Sequence, residues 1–313
     1  MTQEQKAKAT RQAFGETLAS LGASHPDIVV MDADLSKSTK SDIFAKQFPE
    51  RFFEMGIAEQ NMLGVAAGLA STGKHVFCCS FACFLAGRFE TIKISVAYAK
   101  ANVTMVGTHA GVGIGPDGYS QMGLEDLALL RTLPGVQVFQ PCDEIETQAI
   151  MMHLAKHQGP AYLRLTRQNL SPMHSKDYVF KAGALDVLSE GSDIAIFATG
   201  GTVMHALQAS ELLKNEGISA AVINVPSIKP LNAGEVRAWA KRVSVMLSVE
   251  DHMVAGGMGG SLAEALGPEP SAPLIMHGIH DVFGESGSPS ELYAKFELDA
   301  AGIVKHAKRA LKR

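Results

Sequence analysis

The segment KHVFCCSF, residues 74–81, is followed by RFETIKISVAYAK, residues 88–100, and then by ANVTMVGTH, residues 101–109. The first and third segments are apolar runs that lead into loops, whereas the middle segment has the periodicity of a helix. This alternation predicts a strand, a helix and a second strand that lies parallel to the first. Because both strands are apolar nearly throughout, helices should cover both faces of their sheet.

The same alternation continues in both directions along the chain. Further strands are predicted at DIVVMDAD (27–34), GVQVFQPC (135–142), PAYLRLT (160–166), SDIAIFATG (192–200), SAAVINVP (219–226), VSVMLSVED (243–251) and PLIMHGI (273–279). A polar stretch interrupts the pattern after the strand at 160–166. The 313 residues therefore predict an α/β protein with two doubly wound, mostly parallel sheets: a first domain at 1–172, a linker at 173–186 and a second domain at 187–313.

The composition narrows the classes of ligand. A net charge of −4 and a pI near 6.3 give no electrostatic reason to expect a nucleic acid or an anionic membrane surface as partner. The polar N-terminus and the absence of an apolar run of membrane-spanning length predict a cytoplasmic protein that binds small molecules. The four cysteines match no metal-binding spacing and are expected to be buried, reduced thiols.

The segment GVGIGPDGYSQ, residues 111–121, has the glycine spacing of a dinucleotide-binding loop. Its context does not fit NAD, because a proline interrupts the glycines and no acidic residue follows about 20 positions later. A glycine loop at the end of a strand remains, and it carries His109, Asp117 and Gln121 at or near its ends. It is either a ligand-binding loop or an ordinary surface loop.

The segment RFFEMGIAEQNMLGVAAGLASTG, residues 51–73, predicts a short strand and then a helix of small residues. Gly64 and Gly68 weaken a helix, so they suggest tight packing against another helix, in this chain or across a subunit interface. Glu59 lies in the first helical turn. Its carboxylate either complements the helix dipole or holds a protonated nitrogen of a cofactor.

The string GIAEQNMLGVAAGLA, residues 56–70, resembles the pyrimidine-binding motif of the transketolase family of thiamine diphosphate enzymes. The remaining likeness keeps the motif order of that family and spans nearly the whole chain, at DADLSKST (32–39), SFACFLAGRFE (80–90), THAGVGIGPDGYSQMGLEDLALLR (108–131), LRLTRQNL (163–170), IKPLN (228–232) and SVEDHMVAGGMGGSLAEAL (248–266). The resemblance implies a pyrimidine-binding domain followed by the transketolase C-terminal domain.

The Gly-Asp-Gly…Asn motif with which this family binds magnesium and the diphosphate is not found in the sequence. The resemblance therefore implies the C-terminal subunit of a split transketolase, which transfers a two-carbon ketol unit from a ketose to an aldose. Its partner is expected to be an N-terminal subunit that supplies the Mg2+ ligands and grips the diphosphate of the cofactor. An α2β2 heterotetramer is expected, and the chain alone should be inactive.

The resemblance also assigns cofactor-binding roles. Glu59 would bind the aminopyrimidine ring nitrogen and favour the imino tautomer, whose exocyclic nitrogen removes the thiazolium C2 proton. Phe81 and Phe84 would pack the pyrimidine ring, and Leu35 would touch the thiazolium side. Asp34 would orient the cofactor or its neighbours, although its position also suits a helix cap.

The substrate-binding roles come from the same resemblance. His109, Asp117 and Gln121 would line the substrate channel, and Arg11, Ser38 and Arg167 would grip a sugar phosphate or another anion. The chain departs from the family pattern at Gly87, where Tyr or Arg is frequent, and at Tyr119, where proline is usual.

Several alternatives stay open on the sequence. The β subunit of a 2-oxo-acid dehydrogenase has a similar length, domain order and Glu-bearing motif, and 1-deoxyxylulose-5-phosphate synthase is another relative. A non-catalytic relative that binds an effector in the same cleft is a hypothesis of a different class. The glycine-rich segment 255–266 is interpreted as a structural turn, and His252 as a satisfied buried histidine.

Overall fold

The computed structural model describes residues 6–312, which form two large sheets with helices packed on them. The strands are β1 (Lys8–Ala9), β2 (Ile28–Asp32), β3 (Phe52–Glu54), β4 (His75–Phe81), β5 (Val103–Thr108), β6 (Gln137–Phe139), β7 (Ala161–Arg164), β8 (Asn169–Leu170), β9 (Asp186–Ser189), β10 (Ile194–Ala198), β11 (Ala220–Asn224), β12 (Ser227–Lys229), β13 (Val245–Met253) and β14 (Leu274–Ile279).

The α-helices are α1 (Thr10–Ser24), α2 (Ser36–Thr39), α3 (Asp42–Gln47), α4 (Glu59–Ser71), α5 (Ala82–Ala86), α6 (Phe89–Thr91), α7 (Asp126–Arg131), α8 (Glu144–Leu154), α9 (Thr202–Asn215), α10 (Ala233–Ala240), α11 (Met258–Leu266), α12 (Pro289–Lys295) and α13 (Ala300–Leu311). Short 3-10 helices occupy Pro49–Arg51, Val112–Ile114 and Tyr119–Gln121, and a π-helix occupies Ile92–Tyr98.

The larger sheet has seven strands in the order β12, β6, β7, β5, β4, β2, β3, and its neighbours are parallel except for β12 and β6. Every residue of β2, β4 and β5 is buried. One apolar cluster joins this sheet to α1, α3 and α8, and another joins it to α4 and α7. The near-continuous apolar strands predicted from the sequence are thus explained by helices on both faces.

The strand order of this sheet reverses at β2, because β3 lies on one side of β2 and β4 on the other. Doubly wound sheets bind ligands outside the carboxyl ends of their strands at such a point. Asp34 and Leu35 follow β2, Phe81 ends β4, and His109 follows β5. Four of the predicted site residues therefore lie at this one edge of the sheet.

The second sheet has five strands in the order β14, β13, β10, β11, β9, and every neighbouring pair is parallel except β11 and β9. The predicted fold class of two doubly wound, mostly parallel sheets is confirmed. The strand β12, however, follows β11 in the chain but pairs with β6 of the larger sheet. Because β12 has only three residues, its sequence shows too little periodicity to predict that it joins the larger sheet. The boundaries at 1–172, 173–186 and 187–313 remain a prediction.

The cysteines are free, with Cys78, Cys79 and Cys142 buried and Cys83 half-buried. Cys78 and Cys79 belong to different apolar clusters because successive side chains of a strand point to opposite faces. Burial raises the pKa of Cys83 to about 12, so its reactive thiolate is scarce at neutral pH. All four thiols are free as predicted, but the prediction of burial is confirmed only for Cys78, Cys79 and Cys142. None of the helices in residues 6–312 combines the length and apolarity that crossing a bilayer requires.

Candidate active site

Glu59 begins helix α4, a few residues after the end of β3. The residue is only 5% exposed, and its Oε1 accepts a hydrogen bond of 3.2 Å from the hydroxyl of Ser80 in β4. Within residues 6–312, the second carboxylate oxygen receives no hydrogen bond. This oxygen is reached by solvent, so it is free to accept a hydrogen bond from a bound molecule.

Three rings pack on one another where β4 and β5 end, the edge of the sheet at which Ser80, the hydrogen-bond partner of Glu59, also lies. Phe81 ends β4 and is buried, and its ring lies parallel to that of Phe84 with centroids 5.7 Å apart and planes 9° apart. The imidazole of His109 stacks on Phe81 at 3.9 Å. Since flat rings next to a carboxylate recognise planar heteroaromatic groups, this wall fits the aminopyrimidine that the sequence resemblance implies.

His109 has a left-handed backbone conformation, with φ 57°, and connects two parts of the site. Its Nε2 lies 3.1 Å from Nη1 of Arg11, and its Nδ1 lies 2.8 Å from Oγ1 of Thr108. Because a guanidinium only donates, Nε2 must accept, and Nδ1 carries the proton that is donated to Thr108. Burial, followed by the positive charges nearby, lowers the pKa of His109 to about 3. His109 is therefore a neutral imidazole.

The predicted anion-binding residues approach each other from distant parts of the sequence. Arg11, in the first turn of α1, donates a hydrogen bond of 2.6 Å to the backbone oxygen of Ser38, so the backbone of Ser38 and not its hydroxyl makes this contact. Burial, followed by the charge of Arg167, lowers the pKa of Arg11. Arg167 itself donates to the backbone oxygen of Ile114 at 3.1 Å and to Asp117 at 3.3 Å. The two guanidinium groups thus share one region, in which the half-exposed carboxylate of Asp117 pairs with Arg167 and also interacts electrostatically with Arg11.

The loop after β2 is organised by a residue that the sequence motifs did not single out. Asp32 is fully buried and accepts hydrogen bonds from the backbone of Leu35 and from the hydroxyls of Thr39 and Ser41, at 2.6–2.8 Å. Burial raises the pKa of Asp32 to about 6 although the three bonds oppose that change. The signal in the sequence was the pair of hydroxyl residues that follows the strand.

Asp34, by contrast, is exposed and has a left-handed backbone with φ 64°. Its backbone N–H donates to Glu54 at 2.6 Å. Helix α2 begins after Leu35 and has no side-chain cap, so Asp34 does not serve as a helix cap. Leu35 is half-buried and packs against the apolar cluster that contains Phe81. The cofactor roles of both residues stay predictions.

Gln121 is half-buried at the end of the short helix Tyr119–Gln121, and its backbone N–H donates to the oxygen of Gly118. The ring of the neighbouring Tyr119 lies 4.6 Å from that of Phe283, which follows β14 in the second domain. The departure from the family pattern at Tyr119 therefore brings a residue of the second domain next to the glycine loop, residues 111–121. This contact could not be predicted from the sequence, since Phe283 carries no motif.

The second glycine cluster is a structural turn, as interpreted from the sequence. The backbone N–H groups of Met258 and Gly259, at the start of α11, donate to the buried carboxylate of Glu250 at 2.6 and 2.9 Å. The carboxyl group of Glu250 therefore occupies the place that an anionic ligand would take. His252 is fully buried, with hydrogen bonds of 2.7 Å to the oxygen of Met253 and 3.4 Å from the nitrogen of Ala128. Its interpretation as a satisfied buried histidine is confirmed.

A polar cluster with metal-ligand residue types joins the start of α8, the segment between β8 and β9, and the first residue of β9. The ligand atoms of Cys142, Asp143 and His174 lie within 4.8 Å of one another, as do those of Glu146, His174 and Asp186. These atoms already bond to each other: His174 Nδ1 lies 2.9 Å from Asp143, and its Nε2 lies 2.8 Å from Asp186. The arrangement is that of an imidazolium held between two carboxylates.

Comparison with known proteins identifies the family. The family model for the transketolase pyrimidine-binding domain matches residues 6–173, more than half of the chain, and the model for the transketolase C-terminal domain matches residues 183–303. The chain belongs to the transketolase family. The resemblance stated from the sequence motifs is thereby confirmed.

Two curated relatives match nearly end to end. A protein of Methanocaldococcus jannaschii named for the C-terminal section of a transketolase is 42% identical over 98% of this chain and 97% of its own length. One subunit of an apulose-4-phosphate transketolase from Phocaeicola vulgatus is 37% identical over 97% of this chain and 98% of its own length. This chain therefore corresponds to the C-terminal section of transketolase.

A solved structure described as a split gene transketolase, an inactive β4 tetramer, superposes with a TM-score of 0.89 at 44% identity. It covers 98% of this chain, which in turn covers 99% of it. These matches favour transketolase over the β subunit of a 2-oxo-acid dehydrogenase and over a 1-deoxyxylulose-5-phosphate synthase-like enzyme.

Proposed function

We propose that this chain is the C-terminal subunit of a heteromeric transketolase that transfers a two-carbon ketol unit from a ketose phosphate to an aldose. The observation that carries the proposal is the combination of a buried carboxylate, aromatic rings and converging arginines at one edge of the larger sheet. Glu59, Phe81 and Arg11 represent these three parts, and each comes from a different element.

The residues of this site fit the pyrimidine half of thiamine diphosphate. The second oxygen of Glu59 would accept a hydrogen bond from the ring nitrogen, and Phe81 and Phe84 would pack the ring, with Leu35 on the thiazolium side. When bound, the cofactor supplies the carbanion chemistry that joins and releases the ketol unit. Among residues 6–312, this edge of the sheet has no converging set of oxygen ligands for Mg2+. We therefore assign the metal ligands and the residues that bind the diphosphate to a partner subunit.

The charges beside the site favour an anionic sugar. Arg11 and Arg167 lie close enough for their charges to interact, and Lys40 contributes to the same positive field around His109. A phosphate dianion would relieve this repulsion and bond both guanidinium groups. The name of the Phocaeicola vulgatus relative also contains a sugar phosphate. Asp117 and Gln121 would then bind sugar hydroxyls, and the neutral His109 would hold Arg11 in place.

A partner subunit would cover the exposed surface next to Glu59. Ile57, two residues before the carboxylate, is 85% exposed, and the outer face of α4 presents Gly64 and Gly68 to solvent. An N-terminal transketolase subunit that supplies the diphosphate site would bury this surface, in an α2β2 assembly. Two matches support a chain that needs a partner: the Phocaeicola vulgatus relative, which is named as one subunit of a transketolase, and the structure described as an inactive β4 tetramer.

The deciding experiment is an assay of ketol transfer from xylulose 5-phosphate to ribose 5-phosphate with thiamine diphosphate and Mg2+. The chain is tested alone and after co-purification with an N-terminal transketolase subunit from the same organism. Activity is expected only in the pair. Equal activity of the chain alone would refute the dependence on a partner, and a well-assembled pair that transfers no ketol unit from any of a panel of phosphorylated ketoses would refute the proposed reaction.

A further inference from the structure

The glycine loop, residues 111–121, is bound by the second domain as well as by the first. The carboxylate of Asp251, in β13, accepts hydrogen bonds from the backbone N–H groups of Val112 at 2.7 Å and Gly113 at 3.2 Å. Each bond uses a different oxygen of the carboxylate. Asp251 is 3% exposed, and the hydroxyl of Tyr293 in α12 donates to it at 3.0 Å. One buried side chain thus fixes two successive amides of the loop that would line the substrate channel.

The carboxylate of Asp251 lies so close to the loop that position 111 has room only for glycine. Gly111 has φ 82°, and a Cβ built on it would overlap the carboxylate of Asp251. Two further glycines of the loop face the segment that leads into α12. A Cβ on Gly118 would lie 2.6 Å from Oγ of Ser286, and one on Gly115 would lie 3.1 Å from Cδ of Pro289. The glycines therefore permit close contact between the loop and the second domain. This explains the glycine spacing of residues 111–121, and it could not be predicted from the sequence.

The loop is also bound from the first domain. Arg167 donates to the oxygen of Ile114, so the turn between Val112 and Ile114 is held on one side by a carboxylate and on the other by a guanidinium. Asp117, which pairs with Arg167, lies three residues farther along. Release of the turn by the second domain would consequently move the residues that face the sugar.

We propose that Asp251 is a positioning residue for ketol transfer: it holds the glycine loop in the conformation that presents Asp117 and Gln121 to the sugar. This inference rests on the proposed function. It gives the C-terminal domain a part in substrate binding, exerted through the backbone of the loop and without contact with the sugar.

The chain offers a closely matched control for this role. Glu250 is the residue before Asp251, is equally buried, and also accepts two backbone N–H bonds, but its donors are Met258 and Gly259 within the second domain. Asp251→Asn and Glu250→Gln therefore make the same chemical change at adjacent positions. Each replaces an oxygen acceptor by an NH2 donor and leaves one backbone N–H unpaired. Only the first touches the glycine loop.

The test uses both variants in the assembled pair with the N-terminal subunit and, separately, as purified chains. In the pair, Asp251→Asn should raise KM for the ketose donor ~10-fold, which corresponds to about 1.4 kcal/mol. The half-saturating concentration of thiamine diphosphate should not change. Glu250→Gln should leave both constants at the wild-type values. A purely structural role of Asp251 would instead affect sugar and cofactor binding alike.

Hydrogen–deuterium exchange on the isolated chains gives a readout that does not depend on the reaction. The amides of Val112 and Gly113 should exchange on the order of 10-fold faster in Asp251→Asn and at the wild-type rate in Glu250→Gln. Unchanged exchange at these amides, or an unchanged sugar KM in an active pair, would overturn the inference. If the wild-type pair shows no transfer, the proposed function fails, whereas faster exchange in Asp251→Asn would still support the anchoring of the loop.

Tyr293→Phe keeps the test decisive if Asp251→Asn does not fold. It removes only the hydroxyl that bonds to Asp251 and keeps the packing of the ring. Loss of one such bond should raise the sugar KM about threefold to fivefold and accelerate exchange at the same two amides. Wild-type values for both measurements in this variant would overturn the inference.

Discussion

At the residue scale, Glu59 shows how one side chain fits both interpretations that the sequence left open. As the first residue of α4 it complements the positive end of the helix dipole. The stabilisation by the helix dipole does not require Glu59 to be buried. The residue is nevertheless almost inaccessible to solvent, and it accepts a hydrogen bond from Ser80. The second carboxylate oxygen has no hydrogen-bond partner within residues 6–312 and is open to a ligand that donates to it.

Replacement of Glu59 by Gln keeps the shape of the side chain and the bond to Ser80, but it removes the charge that would stabilise a donor nitrogen. We expect kcat of the assembled pair to fall by on the order of 100-fold or more, since groups that take part in proton transfer contribute at least this much. The measurement is steady-state ketol transfer at saturating thiamine diphosphate.

Glu144→Gln is the matched control for this substitution. Glu144 is likewise the first residue of a helix, α8, but it is half-buried and forms an ion pair with Lys8. Its replacement should leave kcat within about twofold, because solvent-accessible ion pairs and dipole interactions are worth only ~0.3–1 kcal/mol of stability. If Glu59→Gln retains the wild-type kcat, the assignment of Glu59 to cofactor activation is wrong.

At the element scale, helix α4 has one packed face and one open face. Met62, Leu63 and Ala66 are buried against the sheet, whereas Gly64 and Gly68 are exposed and have nothing within 4 Å of an added Cβ. The tight packing that the sequence suggested is therefore not made within residues 6–312. This face remains available to a partner subunit, which is the other place where the small residues would be needed.

Gly64→Ala and Gly68→Ala separate these two effects. In the isolated chain, each should stabilise the fold by about 0.5–1 kcal/mol, because alanine favours the helix and meets no neighbour. In the pair, the added methyl groups should weaken association with the N-terminal subunit. Thermal unfolding of the chain and a titration with the N-terminal subunit measure the two changes. Lower stability of the isolated chain, or unchanged association, would contradict the expectation for α4.

At the scale of the whole molecule, the two domains are joined by a charged cluster as well as by apolar contacts. His174, which lies between β8 and β9, bonds to Asp143 at the start of α8 and to Asp186, the first residue of β9. Burial opposes protonation of the ring, but the two carboxylates outweigh it and raise the pKa of His174 to about 10. The ring is therefore an imidazolium at neutral pH and ties the linker to both sheets.

This cluster predicts a loss of stability in alkali. The pKa of His174 is higher in the folded chain than the ~6.5 of an unfolded histidine. Its contribution is thus complete below about pH 6.5 and is lost as the pH rises through about 10. The midpoint of thermal unfolding should therefore fall by several degrees as the pH rises from 7 to 10.

The variant His174→Gln should be less stable at pH 7 and should show a flatter dependence on pH over the same interval. His153→Gln is the control, since burial lowers the pKa of His153, so folding does not favour its protonated form as it does for His174. In this control variant, the midpoint of thermal unfolding should change with pH as steeply as in the wild type. An equal slope in His174→Gln and the wild type would contradict a charged His174.

The sequence by itself determined the alternation of the principal strands and helices, the class of fold and the family, and it supplied the candidate site residues that remain predictions. Continuous apolar runs must be buried on both faces, and motifs such as GIAEQNMLGVAAGLA, residues 56–70, have few alternative explanations. These are local properties of the sequence, so they can be recognised without knowing which distant residues pack against them.

Only the tertiary structure decided which distant groups meet. Asp32 organises the loop after β2, Ser80 supports Glu59, and β12 completes the larger sheet from the second half of the chain. Asp251 accepts a hydrogen bond from the glycine loop although it lies 139 residues after its partner Val112 in the sequence. No periodicity or motif encodes such a contact, because a hydrogen bond between two domains depends on how their sheets pack and not on the residues that adjoin either partner.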